Sequence, residues 1–117
     1  MSLAFLEPWI LRAPRGLASR CRLSLYRLLG LGAGQQNRME NVRCRRLAQV
    51  RIGDWNAFTD GCWLWPHDSP FDGVRIEIGS HNYFNRDVMI DACGKVQVGN
   101  YNMFGPGVYV TDSNHRL

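Results

Sequence analysis

The sequence from Ile78 to His115, IGSHNYFNRDVMIDACGKVQVGNYNMFGPGVYVTDSNH, repeats with an interval of six residues. Large apolar residues recur in it at steps of six, with a single step of eight in the middle. This interval fits neither a helix, whose period is about 3.6 residues, nor one long strand. It predicts a chain that forms a short strand, turns a corner and forms the next strand on a new face, with one apolar side chain per strand pointing inward. These apolar positions, here called anchors, are Ile78, Phe84, Ile90, Val98, Phe104 and Val110.

The same spacing extends toward the N-terminus, where an eight-residue interval occurs again. The intervals from Cys44 to Ile52 and from Ile90 to Val98 are both eight residues long. The pattern therefore predicts three strands per turn and about four turns, in which stacked strands pair in parallel. The turns cover residues 33–51, 52–77, 78–97 and an unfinished turn from 98. The earlier anchors are Ala33, Met39, Cys44, Ile52, Phe58 and Leu64.

Corner and loop signals accompany the repeat. Glycine follows the anchor in Ile78-Gly79 and Val98-Gly99, which predicts corners that need a positive φ angle or close backbone packing. Between Leu64 and the next anchor, prolines, aspartates and Gly73 predict a loop pushed out at a corner.

Composition separates the chain into two unlike parts. At 117 residues it forms one domain at most. Residues 1–51 hold ten arginines against two glutamates, whereas residues 52–117 hold four basic and eight acidic residues. The basic character therefore belongs to the N-terminal part. The four cysteines form no close-spaced pair, which predicts free thiols in a reducing compartment. The chain contains no run of eighteen apolar residues, so the sequence predicts no transmembrane span.

An amphipathic helix is predicted before the repeat, from Gly16 to Leu29, with Pro8 and Pro14 interrupting the chain upstream. One interpretation is that its apolar stripe covers the open end of the repeat domain. The alternative is that this basic helix lies on an anionic membrane surface. The predicted division is an arm and helix over residues 1–32 and a repeat domain over residues 33–117. The apolar residues of the stripe are Leu17, Cys21, Leu25 and Leu28.

The motifs IGSHNYFNRDVMID and VGNYNMFGPGVYV resemble the hexapeptide-repeat acyltransferases, over about residues 33–117. The resemblance implies a left-handed parallel β-helix, an exception to the rule of right-handed crossovers, normally assembled as a homotrimer. Within that family the chain is most similar to enzymes that O-acetylate sugars and surface polysaccharides. Those enzymes continue past the phrase GPGVYVTDSNH, so the resemblance implies that further coils hold much of the acetyl-CoA, and that residues 1–117 alone bind it weakly.

The resemblance also implies the site residues. His115 matches the family's catalytic histidine, and a neutral imidazole suits a general base near neutral pH. Asn85 and Asp91 match the positions that meet the acceptor sugar; the alternatives are a corner asparagine in the left-handed region for Asn85 and a solvated turn aspartate for Asp91. Asp112 is a candidate to orient His115. The expected activity is transfer of an acetyl group from acetyl-CoA to a sugar hydroxyl.

Other functions are weighed against this one. His67 and His81 have no partner at metal-ligand spacing, and the arginines lack interleaved aromatics, so we expect neither a metal site nor a nucleic-acid partner. Trp63 and Trp65 are candidates for a subunit interface or for stacking on a sugar. The rival function is a non-catalytic β-helical interaction or trimerisation module. The expected location is the cytoplasm, with membrane contact through the helix as the alternative.

Overall fold

A computed structural model describes residues 7–69 and 73–112, with side chains from residue 16 onward. Its helix α1 spans Glu7–Leu28, so it begins nine residues before the predicted start and runs through both prolines. Pro8 lies in the first turn, where a helix does not use the backbone N–H. Pro14 removes one hydrogen bond inside the helix, and the helix nevertheless continues to Leu28.

Short strands make up most of the remaining described chain. A 3-10 helix, Leu47–Gln49, lies among them. The strands are β1 (Gly32–Ala33), β2 (Arg38–Met39), β3 (Arg43–Cys44), β4 (Val50–Ile52), β5 (Ala57–Phe58), β6 (Trp63–Pro66), β7 (Ile76–Ile78), β8 (Tyr83–Phe84), β9 (Met89–Ala92), β10 (Val96–Val98), β11 (Met103–Phe104) and β12 (Tyr109–Thr111).

The strands form three parallel sheets of four strands each within the described residues. The first sheet contains β1, β4, β7 and β10 in that order, and the second contains β2, β5, β8 and β11. The third contains β3, β6, β9 and β12. The chain therefore visits the three sheets in rotation and adds one strand to each on every round, as in a β-helix.

The strand registers confirm the predicted anchors. In the second sheet Met39 pairs with Phe58, Phe58 with Phe84, and Phe84 with Phe104. The rings of the three phenylalanines stack with centroid distances of 4.4 and 4.8 Å. The other two anchor series are aligned in the same way, in the first sheet and in the third. They are Ala33, Ile52, Ile78 and Val98, and Cys44, Leu64, Ile90 and Val110.

The first sheet explains the intervals of eight residues. Three of its strands, β4, β7 and β10, begin two residues before the anchors, at Val50, Ile76 and Val96, and these residues are also buried. Alternate residues of a strand point to the same face, so each of these strands inserts two apolar side chains rather than the predicted one. The two extra residues of the eight-residue interval therefore lengthen the strand and provide its second buried side chain.

An asparagine ladder runs through the corner between the first and second sheets. Asn56 donates its side-chain amide to the Gly79 carbonyl at 2.8 Å, and its side-chain oxygen accepts the backbone N–H of Asn82 at 3.0 Å. Asn82 repeats both bonds with Gly99 and Asn102. Both asparagines are almost fully buried, so these bonds satisfy polar groups inside the corner.

Positive φ angles were one of the two predicted reasons for the corner glycines, but they occur two residues after these glycines. His81 and Tyr101 each have a φ angle of 60°, whereas Gly79 and Gly99 lie outside the left-handed region. Gly79 is required by packing instead, because a Cβ there would lie 2.7 Å from the Gly99 carbonyl oxygen. Close backbone approach, the second of the two predicted reasons, therefore explains this glycine.

Helix α1 packs on the end of the stack formed by β1 and β2, but with the face opposite to the predicted one. Leu23 and Ser19 are buried, and Tyr26 packs against the core. The predicted apolar stripe points away, since Leu17, Leu25 and Leu28 are 65, 53 and 85% exposed. The prediction that this stripe covers the stack is wrong.

Hydrogen bonding explains why the polar face of α1, and not its apolar stripe, packs on the stack. The outermost strands of a parallel stack present unpaired backbone N–H and carbonyl groups, which an apolar cap would leave unsatisfied. Ser19 accepts the Met39 N–H at 2.8 Å, and Tyr26 donates to the Val42 carbonyl at 2.7 Å. Arg22 donates to the Glu40 carbonyl. The helix therefore caps the stack with polar side chains around the buried Leu23.

Candidate functional site

The outer face of the third sheet brings together aromatic, acidic and hydroxyl side chains. Because alternate residues of each strand point outward, the strand registers place these side chains in two columns. The first column contains Arg43, Trp63, Met89 and Tyr109, and the second contains Trp65, Asp91 and Thr111. We call these seven residues the third-sheet face.

Two tryptophans form the aromatic part of the third-sheet face. The rings of Trp63 and Trp65 lie 4.9 Å apart, tilted by 44°. The guanidinium carbon of Arg43 lies 5.0 Å from the Trp63 ring centroid, and that of Arg45 lies 4.6 Å from the Trp65 centroid. These are cation–π distances, so the arginines hold the rings in place from the side of the helix cap.

Asp91 supplies the acidic group. Its side chain is half-buried on β9, where its backbone pairs with Trp65 on one side and Thr111 on the other. The Tyr109 hydroxyl donates a hydrogen bond of 2.8 Å to Oδ2 of Asp91. This bond raises the pKa of the Tyr109 phenol, because losing the proton would place two negative charges together. The carboxylate is thereby oriented by the Tyr109 hydroxyl, and Trp65 is its register neighbour on β6.

Asn85 lies elsewhere, at the corner that follows β8. Its backbone N–H donates to the Phe104 carbonyl at 3.0 Å, and its side-chain oxygen accepts the Arg86 N–H at 2.8 Å. The side-chain oxygen therefore serves the corner itself, which leaves the amide group as the donor for a ligand. Asn85 lies at a corner between strands, whereas Asp91 is on β9 of the third sheet, and the two side chains hydrogen bond to different groups.

The predicted catalytic histidine, His115, lies outside the described residues. Asp112, proposed to orient it, is described, and both of its carboxylate oxygens are engaged. They accept the backbone N–H groups of Cys93 and Gly94 at 2.6 and 2.7 Å. Asp112 thus closes the corner between the third and first sheets, at the place where the eight-residue interval occurs.

The two remaining histidines have other surroundings. His81 is exposed and stacks between Trp55 and Tyr101, with ring centroids 6.4 and 4.7 Å away. His67 donates its backbone N–H to the Ala92 carbonyl at 2.8 Å. Over residues 7–69 and 73–112, no three histidine, cysteine or acidic residues group closely enough to hold a metal ion.

An open groove of about 480 Å³ crosses the first sheet. Arg51, Glu77 and Gln97 line it side by side in register. Lys95 lies 3.3 Å from the Glu77 carboxylate, and its hydrogen bond is the main cause that lowers the pKa of Glu77. The corner glycines Gly53, Gly79 and Gly99 also line the groove.

The sequence interpretation missed Tyr109, Thr111 and the two arginines of this region. A signal for one column is present in the repeat, since Trp65, Asp91 and Thr111 each directly follow an anchor of the third sheet. Residues at the same position after equivalent anchors stack on one another, so this shared position predicts that the three side chains are neighbours.

In comparisons with known proteins, no family model matches the chain, and neither a curated protein nor a solved structure matches it. Within the described part of the chain, no helix combines the length and apolar character needed to cross a membrane.

Proposed function

We propose that the chain is a sugar O-acetyltransferase of the hexapeptide-repeat type that binds its acceptor on the third-sheet face. The proposed scaffold is a left-handed β-helix of four coils, assembled as a homotrimer with acetyl-CoA as the acetyl donor. Three parallel sheets, with anchors aligned at the hexapeptide interval, support this proposal. The proposed activity is inferred from the resemblance of the motifs IGSHNYFNRDVMID and VGNYNMFGPGVYV to that family.

The observation that carries the function is the Asp91 carboxylate held beside Trp65 on the third-sheet face. Aromatic rings stack on the apolar faces of sugar rings, and a fixed carboxylate accepts hydrogen bonds from sugar hydroxyls. Tyr109 keeps the carboxylate in one orientation, which reduces the entropy cost of binding. The Asn85 amide is the proposed donor to a second acceptor hydroxyl.

His115 is the proposed general base. His115 follows Asp112 by three positions, so their Cα atoms lie at most about 11 Å apart in a fully extended chain. Its imidazole takes the proton of the acceptor hydroxyl while the hydroxyl oxygen attacks the thioester carbonyl carbon. A backbone N–H stabilises the resulting oxyanion, and when the tetrahedral intermediate collapses the C–S bond breaks and the His115 imidazolium returns its proton to the departing sulfur, releasing coenzyme A as the thiol.

The test is acetyl transfer from radiolabelled acetyl-CoA to a panel of sugars and oligosaccharides, followed by mass spectrometry of the product. His115→Ala should lower the rate by about 10²- to 10⁴-fold, the usual contribution of a general base. His81→Ala is the matched control, since His81 is exposed and stacks on aromatic rings. Equal turnover in wild type and His115→Ala would reject the assignment.

A second candidate is a non-catalytic interaction module. It is favoured by the guanidinium groups of Arg43 and Arg45, which already occupy one face of each tryptophan ring. A folded protein that acetylates no acceptor in the panel, and in which Trp65→Ala abolishes self-association measured by sedimentation, would support this second function.

A further inference from the structure

Helix α1 exposes an apolar stripe that the fold leaves uncovered. Leu17, Leu25 and Leu28 are 65, 53 and 85% exposed, and Cys21 is also exposed. At 3.6 residues per turn these four residues lie within an arc of about 80°. Monomeric proteins seldom leave such a stripe on a helix open to water without a function.

The stripe is distinct from the face that packs on the stack. Ser19, Leu23 and Tyr26 hold the helix against β1 and β2, on the side opposite the stripe. The helix therefore has two contact faces, one occupied by its own domain and one facing outward. Covering the outer face would not require the helix to detach from the stack.

Arginines border the stripe and identify its occupant. Arg20 and Arg27 are exposed on one side of it, with Arg27 donating to the Gly34 carbonyl, and α1 holds five arginines against one glutamate. We infer that this outer face is a docking surface for a lipid bilayer rich in anionic headgroups. The leucines would enter the interface, while the long arginine side chains would reach the phosphate groups beside it.

Charge also argues against a second copy of the chain as the occupant. Two such helices packed through their stripes would bring two arginine-rich surfaces together, which is unfavourable unless counterions or acidic partners intervene. An anionic bilayer supplies the opposite charge. This inference does not depend on the proposed acetyltransferase activity, because it rests on residues of α1 alone.

Vesicle co-sedimentation of the whole protein tests the inference. We expect at least about tenfold stronger binding to phosphatidylcholine vesicles containing about 30% phosphatidylglycerol than to phosphatidylcholine alone, because each arginine near an anionic surface contributes roughly fivefold. Binding should weaken as salt is raised, since screening shortens the range of the attraction. Equal binding to both vesicle types, or no binding to either, would overturn the proposal.

Substitutions then locate the surface. Leu25→Gln with Leu28→Gln should lower vesicle binding at least about tenfold, because apolar area drives insertion into the interface. The matched control is Met103→Gln, an 81% exposed apolar residue on β11, at the other end of its sheet from β2. Arg20→Gln should weaken binding more than Arg86→Gln, another exposed arginine.

Two further measurements distinguish a lost membrane contact from misfolding and from self-association. Circular dichroism must show the same helix content in the leucine variant as in wild type. Arg20→Gln leaves the leucine stripe intact, so weaker vesicle binding by this variant tests the membrane contact independently of the leucine substitutions. Sedimentation velocity without vesicles reports self-association. If the wild type is an oligomer and the leucine variant is a monomer, a second copy covers the stripe and the membrane assignment is overturned. Unchanged vesicle binding by the leucine variant would also overturn it.

Discussion

At the residue scale, Gly79 and Gly99 occupy equivalent corners but have different surroundings. A Cβ at Gly79 would lie 2.2 Å from the Asn100 side-chain oxygen and 2.7 Å from the Gly99 carbonyl oxygen. At Gly99 the nearest described atom is the Asn102 side-chain nitrogen, 3.9 Å away. Gly79→Ala should therefore lower the free energy of unfolding by about 1 to 3 kcal/mol through overpacking.

Gly99→Ala is the matched control, and we expect a change within about 0.5 kcal/mol. Both substitutions reduce the entropy of the unfolded chain in the same way, so their difference isolates the packing effect. Urea denaturation measures both values. Equal destabilisation by the two substitutions would contradict the stacking of the Gly99 backbone on Gly79.

The cysteines provide a second test at the residue scale. Burial raises the pKa of the Cys44 thiol to about 12, and burial also raises that of Cys62. Cys21 and Cys93 are exposed. Because only the thiolate reacts, about one Cys44 in 10⁴ is reactive at pH 8. Alkylation of the native protein at pH 8 should modify Cys21 and Cys93 first, and Cys44 should become reactive only as the pH rises or the chain unfolds.

Peptide mapping by mass spectrometry identifies which cysteines are modified. Labelling in urea, where all four should react, controls for intrinsic reactivity. Rapid labelling of Cys44 or Cys62 in the native protein would show that the interior beside the third sheet is open to solvent.

At the scale of elements, the contact between α1 and the strand stack depends on hydrogen bonds to strand edges. Tyr26→Phe removes the bond to the Val42 carbonyl and should lower the free energy of unfolding by about 1 kcal/mol. Tyr101→Phe is the control, because Tyr101 is 78% exposed. Thermal unfolding followed at a helix-sensitive wavelength reports the loss, and an unchanged midpoint for Tyr26→Phe would contradict a polar cap.

The repeat elements were predictable, whereas the orientation of the helix was not. Anchors six residues apart define strand positions because each strand must bury one large side chain, and their predicted alignment is confirmed by the registers. The apolar pattern of α1 pointed to the wrong face, since hydrophobicity does not record which backbone groups need partners. The second inward residues, Val50 and Val96, were hidden inside the eight-residue intervals.

At the scale of the whole molecule, the candidate site was predicted in part. Asp91 was identified, but its partner Tyr109 was not, because a contact between strands eighteen residues apart depends on register. The bonds from Cys93 and Gly94 to Asp112 were not predictable, since nothing local in the sequence indicates them, and the orientation of His115 by Asp112 stays a prediction. His115 remains a prediction from family resemblance.

The central claim is that the third-sheet face binds the acceptor of an acetyl transfer. Its most direct test is a comparison of steady-state KM values for wild type and Asp91→Ala. The acceptor KM should rise about tenfold or more, since a hydrogen bond to a charged group contributes about 1.5 to 3 kcal/mol, while the acetyl-CoA KM changes by less than about twofold. A larger rise in the acetyl-CoA KM, or no change in either, would contradict the account.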